Sequence, residues 1–347
     1  MLTARFTVGR ALAGVALVGG LWLSLVADST AGGAKLGIET VPLKDARGRD
    51  VTTEVWYPAS DTAVESAFTA RPFFQPIPLS RGAPYCCGNE KSRPLVVISH
   101  GIFGNRFSQG WLARELVSHG YIVATVTHPN TTADDITPAG IYRLWDRAED
   151  VSVVLDHLLS HPNWSARVDP ARIGFVGHSF GGGTGVMLAG GMHDAEALIR
   201  FCKTPAAAKD TYCEPLAKLD PQRLDLRLAK TSYRDQRIRA FYIMASARAQ
   251  GFRAETLRSI RMPFVVDSAM LDEILDNAVN SQVFVGEIPG ASGVDRPVGH
   301  FVYVPLCVSG PVPPQAASIC TDPSGVARDN VHQLVGDAVV QFLQKHL

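Results

Sequence analysis

The stretch Arg172-Ile173-Gly174-Phe175-Val176-Gly177-His178-Ser179-Phe180-Gly181-Gly182-Gly183 decides the reading of this chain. Ile173, Phe175 and Val176 form a short, apolar, β-prone run after the turn signal Asp169-Pro170, as a buried parallel strand requires. The run enters Gly-x-Ser-x-Gly, and Thr184-Gly185-Val186-Met187-Leu188-Ala189 continues as a helix. A serine lifted to the tip of a sharp strand-to-helix turn needs neighbours without Cβ atoms, and Gly177 and Gly181 meet that need. The pentapeptide alone is a weak signal. Its flanks make Ser179 a candidate nucleophile, against the plainer reading of a glycine-rich turn that merely holds a serine.

The same alternation extends outward from this stretch. Glu39 to Asp45 and Asp50 to Tyr57 read as an antiparallel hairpin at a sheet edge, and the Pro-, Ser- and Gly-rich residues 58–93 as a surface excursion. Leu95 to Ile98 is a strand, Gln109 to His119 a helix, Tyr121 to Thr127 a strand and Arg147 to Leu159 a crossover helix. Further strands are expected at 240–244, 263–266 and 283–288. A closing helix at 330–347 is expected to turn Val331, Leu334, Val335, Ala338, Val339 and Phe342 inward. Strands and helices alternating at this spacing predict an α/β fold with a mostly parallel sheet and helices on both faces. Residues 192–238 break the rhythm directly after the serine's helix, where either a cap over the site or a plain surface insertion would sit.

Length and composition bound the rest. The 347 residues are 46% hydrophobic, enough for one large core, and 33 basic residues balance 33 acidic ones. A formal net charge of zero points to neither nucleic acid nor an anionic membrane surface as partner. Arg5 and Arg10 precede an apolar run from Ala11 to Ala27 followed by small residues, the pattern of a secretory signal spanning 1–34. Cleavage after Ala27, Ala31 or Ala34 would leave a catalytic domain at 35–347 with no stable membrane span. An uncleaved anchor is the rival. Six cysteines suit an oxidising compartment, with Cys202–Cys213 and Cys307–Cys320 the short-range pairings and the adjacent Cys86 and Cys87 bridged to each other or elsewhere. No Cys-x-x-Cys spacing favours zinc, so no metal is expected.

A serine nucleophile needs a base, an acid to orient that base, and donors for an oxyanion. In the chain order Ser, acid, His, the base is His300 in Val298-Gly299-His300-Phe301, because His332 and His346 fall on the closing helix. For the acid, Asp272 stands on the loop after the strand ending near Val266, with Asp267 its main rival and Glu273 the next neighbour. The backbone N–H groups of Phe180 and Ile102 are the expected oxyanion donors, and His100 is expected to shape the Ile102 loop.

Val55-Trp56-Tyr57-Pro58-Ala59, Ser99-His100-Gly101, Gln109-Gly110-Trp111-Leu112-Ala113, Leu144-Trp145-Asp146-Arg147, Gly177-His178-Ser179-Phe180-Gly181-Gly182 and Gly299-His300-Phe301 together resemble the α/β-hydrolase superfamily. The likeness is to the bacterial group joining dienelactone-hydrolase-like proteins to platelet-activating factor acetylhydrolases. It implies an α/β-hydrolase fold, ester hydrolysis and no cofactor. Two departures narrow it. Dienelactone hydrolases carry a cysteine where this chain has Ser179. The animal acetylhydrolases place their acid one strand earlier, where Met244-Ala245-Ser246-Ala247 has no carboxylate. The expectation is an exported, periplasmic or secreted, serine esterase acting on a small-molecule or lipid-like ester. A lipase or polyester hydrolase is the runner-up, and a noncatalytic binding protein on the same scaffold the alternative of another kind.

Overall fold

The computed structural model describes residues 35–87, 92–218, 220 and 226–347. The expected signal segment, 1–34, lies outside the described residues. Ten strands form a sheet: β1 (Lys35–Lys44), β2 (Asp50–Ala59), β3 (Ser66–Phe68), β4 (Ile77–Arg81), β5 (Arg93–Ser99), β6 (Ile122–Val126), β7 (Val168–His178), β8 (Ile238–Met244), β9 (Phe264–Ala269) and β10 (Ser292–Arg296). Their order is β10-β9-β8-β7-β5-β6-β2-β1-β4-β3, parallel from β10 through β6 and antiparallel where β2 meets β6 and β1. This is the mostly parallel arrangement that the strand–helix alternation predicts, and it agrees with the α/β-hydrolase fold that the resemblance implies.

Near-continuous apolar runs such as Leu95-Val96-Val97-Ile98 are buried on both faces because helices cover both sides of the parallel strands. On one side, Leu144–Ser160 and Phe180–Ala189 pack Trp145, Val151, Leu155, Val186 and Leu188 against Val97, Phe175 and Phe241. On the other, Gly110–Ser118 and Arg328–His346 pack Leu112, Leu116, Val335 and Val339 against Val96, Val176 and Tyr242. Each such fully buried aliphatic side chain stabilises the fold by about 1.5–3 kcal/mol.

Three expectations are corrected. The β1–β2 hairpin is not the sheet edge, because β4 pairs alongside β1 and β3 alongside β4. Both of those strands come from the excursion 58–93, whose prolines and polar residues suit short edge strands rather than preventing them. Residues 283–288 are not a strand: Ser281–Glu287 is a helix that buries Phe284, and the last strand is the polar Ser292–Arg296, paired among the described residues to β9 alone. A short apolar run cannot by periodicity alone distinguish strand from helix. On the closing helix Leu334 faces solvent at 59% exposure, while Val331, Val335, Val339, Val340 and Leu343 form the buried stripe.

Disulfides join Cys202 to Cys213, Cys307 to Cys320 and Cys86 to Cys87.

Candidate active site

At the carboxyl end of β7 the backbone makes the turn the glycine spacing requires. Ser179 holds φ 55° and ψ −116°, a conformation costly for any residue with a Cβ, and it caps the helix Phe180–Ala189. A Cβ on Gly177 would lie 2.2 Å from the Gly181 carbonyl oxygen, and one on Gly181 would lie 2.0 Å from that of Ser99. Neither position admits a side chain. The strained peptide is held from behind: the Ser179 N–H donates to the Met244 carbonyl (2.9 Å), and the Ala247 N–H donates to the Ser179 carbonyl (3.2 Å).

Two loops bring the expected partners to Ser179. After β10, a 3-10 turn at His300–Tyr303 presents His300, whose Nε2 lies 3.0 Å from Ser179 Oγ. After β9, Asp272 places Oδ2 2.7 Å from His300 Nδ1. An ionised carboxylate can only accept, so Nδ1 carries the proton and Nε2 accepts from the serine hydroxyl. Asp272 Oδ1 accepts from the N–H groups of Ile274 and Leu275 at 2.8 Å each. Burial works to raise its pKa, but the His300 imidazole and those two N–H groups outweigh burial and leave the carboxyl below its ordinary range.

The other carboxylates have different partners. Asp267 belongs to β9 itself and is bonded by Arg296 Nε (2.7 Å), Tyr242 Oη (2.7 Å) and Tyr303 Oη (2.8 Å), not by His300. Glu273 Oε2 accepts the backbone N–H of His300 at 3.0 Å, a positioning contact that residue type alone does not signal. His178, inside the motif, donates from Nε2 to the His300 carbonyl at 3.1 Å. Burial and the adjacent His300 ring hold His178 down to about 3, so it stays neutral.

Across Ser179, the loop after β5 carries Ile102. A Cβ on Gly101 would lie 3.1 Å from Ser179 Cβ, so this loop passes directly over the serine. Among the described residues neither the Ile102 nor the Phe180 N–H donates to a protein acceptor, whereas the neighbouring Phe103 N–H is engaged by Thr131 O at 2.8 Å. His100 is buried, with Nδ1 donating to Gly101 O (2.6 Å) and Nε2 accepting from His128 N–H (3.2 Å). It shapes the loop and is not near His300's role. His332, on the closing helix, stacks on Trp111 at 3.8 Å.

The described residues of 192–238 are packed into the molecule. Leu198, Ile199, Tyr212 and Leu216 are buried with the core, and the Tyr212 ring meets Phe180 edge-on at 5.7 Å. Asp210 Oδ1 accepts from Asn280 Nδ2 at 2.8 Å, tying the segment to the loops beyond β9.

A family model described as PET hydrolase-like matches residues 84–213, a span that holds Ile102, Ser179 and Phe180 and stops short of Asp272 and His300. The chain is similar to Cutinase 2 of Thermobifida cellulosilytica, 33% identical over 106 residues that make up 30% of this chain and 37% of that one. It is also similar to a bis(hydroxyethyl) terephthalate hydrolase of Streptomyces coelicolor, 34% identical over 88 residues, 25% of this chain and 26% of the other. The chain thus spans about a third of the length of the curated relatives it matches. Among solved structures, a ferulic acid esterase from Streptomyces cinnamoneus superposes with a TM-score of 0.58 at 21% identity over 91% of both chains, which is a likeness of fold. The sheet order and the strained serine turn are those of the α/β-hydrolase fold, and the sequence likeness is to PET hydrolase-like and cutinase proteins over about a third of this chain.

Proposed function

We propose that the protein is an exported serine hydrolase that cleaves carboxylic esters through an acyl-enzyme, with Ser179 as nucleophile, His300 as base and Asp272 as the acid that orients it. The observation that carries this reading is the unbroken run of short contacts Asp272–His300–Ser179 at the strained turn. Ser179 Oγ attacks the ester carbonyl and passes its proton to His300 Nε2; Asp272 stabilises the resulting imidazolium. The oxyanion is received by the Ile102 and Phe180 N–H groups. His300 then protonates the departing alcohol, and a water molecule activated by the same imidazole releases the acid. The steps call on no cofactor.

Names of the relatives, cutinases and a terephthalate ester hydrolase, support an ester as substrate. Among the described residues no helix is long and apolar enough to cross a membrane, and three disulfides suit an exported protein. Labelling by a fluorophosphonate probe, lost in Ser179→Ala, tests the reading; an unlabelled native protein would favour a noncatalytic binding role instead.

One observation favours a polyester or other insoluble ester as a second reading. Phe103 is 56% exposed beside the oxyanion donor Ile102, and Met270 and Leu271 are 46% and 50% exposed beside Asp272. Large apolar side chains in water on two loops of one site suit an apolar surface. Turnover of p-nitrophenyl esters of graded chain length against a polyester film separates the two. Residues 192–238 we read as a cap that narrows the acyl side through Tyr212, so Cys202→Ser with Cys213→Ser raises the octanoate-to-acetate rate ratio more than it lowers acetate turnover.

A further inference from the structure

The oxyanion donors proposed above sit on different elements, Ile102 on the loop after β5 and Phe180 at the start of the nucleophile's helix. Their spacing must hold to a fraction of an ångström for both to reach one oxygen. The two backbones touch at Gly181, where no Cβ fits against Ser99 and His100. Beneath that contact lies Arg147 on the crossover helix, fully buried, with no carboxylate bonded to it among the described residues.

Among the described residues, each hydrogen bond of its guanidinium goes to one of the two donor carriers or its immediate support. Nη2 donates to the His100 carbonyl and to Ser99 Oγ (3.3 Å), at the root of the Ile102 loop. Nη1 donates to Thr131 Oγ1 (2.8 Å), and the carbonyl of Thr131 receives the Phe103 N–H on the far side of Ile102. Nε donates to Thr184 Oγ1 (3.1 Å), whose own hydroxyl proton goes to the Phe180 carbonyl (3.1 Å). Ser99 is fixed in turn by His128 (2.8 Å), which is held by Asp150 (2.9 Å). A buried cation without a bonded anion is expensive in desolvation, and a packed apolar side chain would serve a purely structural need at lower cost.

We infer that Arg147 is a positioning residue for the oxyanion site, a single rigid fork that sets the distance between the Ile102 and Phe180 N–H groups through His100, Thr131 and Thr184. The inference rests on the ester-hydrolase reading. Lysine keeps the charge but cannot direct a planar fork at several acceptors.

The test compares Arg147→Lys, Thr184→Val and Thr184→Ser, reading kcat and KM on p-nitrophenyl butyrate and the affinity of an alkyl trifluoromethyl ketone, which binds serine hydrolases as a tetrahedral oxyanion. Arg147→Lys should lower kcat by about a hundredfold, the scale of a displaced oxyanion donor, with KM within about threefold. Ketone affinity should fall by a similar factor. Thr184→Val should do the same by about tenfold, and Thr184→Ser, which restores the hydroxyl, should recover most of it. Should the lysine variant not fold, the threonine pair decides. Native kcat and ketone affinity in Thr184→Val, or a kcat loss with ketone affinity unchanged, would overturn the role. Failure of the native protein to bind the ketone and to react with a fluorophosphonate would overturn the hydrolase reading instead.

Discussion

Asp267 and Asp272 lie close in sequence, both are buried, and they are put to opposite uses. Asp267 is still in β9, where strand alternation turns it with Val265 and Ala269 toward the layer of the closing helix. There it laces three neighbouring strands and the His300 turn together through Arg296, Tyr242 and Tyr303. Asp272 has left the strand, and the loop gives it the freedom to meet His300 and two backbone N–H groups. A carboxylate surrounded by fixed donors on strands is a fastener. One aimed at a histidine from a loop can hold that ring in a single orientation and tautomer, and position relative to the strand end makes the difference.

The largest effects should fall on the residues that touch the reacting atoms. Ser179→Ala and His300→Ala are each expected to reduce ester turnover by about a thousandfold or more while leaving the circular dichroism spectrum unchanged. Near-native turnover in either folded variant would remove the frame in which the two aspartates are compared.

The comparison is broken or kept by the aspartates themselves. Asp272→Asn should also cost about a thousandfold in kcat, because the amide cannot hold His300 in the tautomer that accepts the serine proton. Asp267→Asn should cost less than about tenfold in kcat but about 3–5 kcal/mol in stability, since it leaves the Arg296 guanidinium without its partner in a mostly buried setting. Urea unfolding and initial rates on the two purified proteins measure both quantities. Reversal of the pattern would make Asp267 the acid.

Acid titration sharpens the contrast. Asp272 is held below the ordinary carboxylate range, so the folded state binds its proton more weakly than the unfolded one. Its contribution is complete above about pH 4 and is lost as the pH falls through the lowered value. For Asp267, burial comes first and raises the pKa despite Arg296 and the tyrosines. That group's contribution is complete below about pH 4 and fades as the pH rises through the raised value. Stability measured from pH 2.5 to pH 7 should therefore show the advantage of native over Asp272→Asn growing with pH, and that over Asp267→Asn shrinking. Parallel slopes would contradict the assignment.

How far the sequence was readable follows the same division between strand and loop. Ser179 and the strand before it are announced by glycine spacing and local apolar pattern, and His300 by its place between the last strand and the closing helix. Asp272 and Asp267 share one signature, an acid after a Val-rich run, and only the strand's true end at Ala269 separates them. Val283-Phe284-Val285 has no period to mark it as helix, and Leu334 fits a 3.6-residue stripe that tertiary packing narrows to Val331, Val335 and Val339. Arg147 stands in a quoted motif, yet its partners come from three separate segments that no spacing rule connects.

Glu273 offers the smallest and most discriminating test, because it adjoins Asp272 but acts on the backbone of His300. Its Oε2 accepts the His300 N–H at 3.0 Å, and a Cβ on Gly299 would lie 2.8 Å from the same oxygen. The contact fixes where the turn begins without touching the imidazole, so it governs the placement of His300 and not its tautomer. Glu273→Gln keeps an accepting oxygen at the same reach and should change kcat by less than about threefold. Glu273→Ala removes the acceptor and should lower kcat about tenfold, the cost of a slightly misplaced catalytic group, with KM nearly unchanged. Steady-state kinetics on one short ester distinguishes these outcomes. If Glu273→Gln were as damaging as Asp272→Asn, charge at this position rather than backbone placement would be at work. The division between an orienting acid and a positioning one would then have to be redrawn along the whole loop.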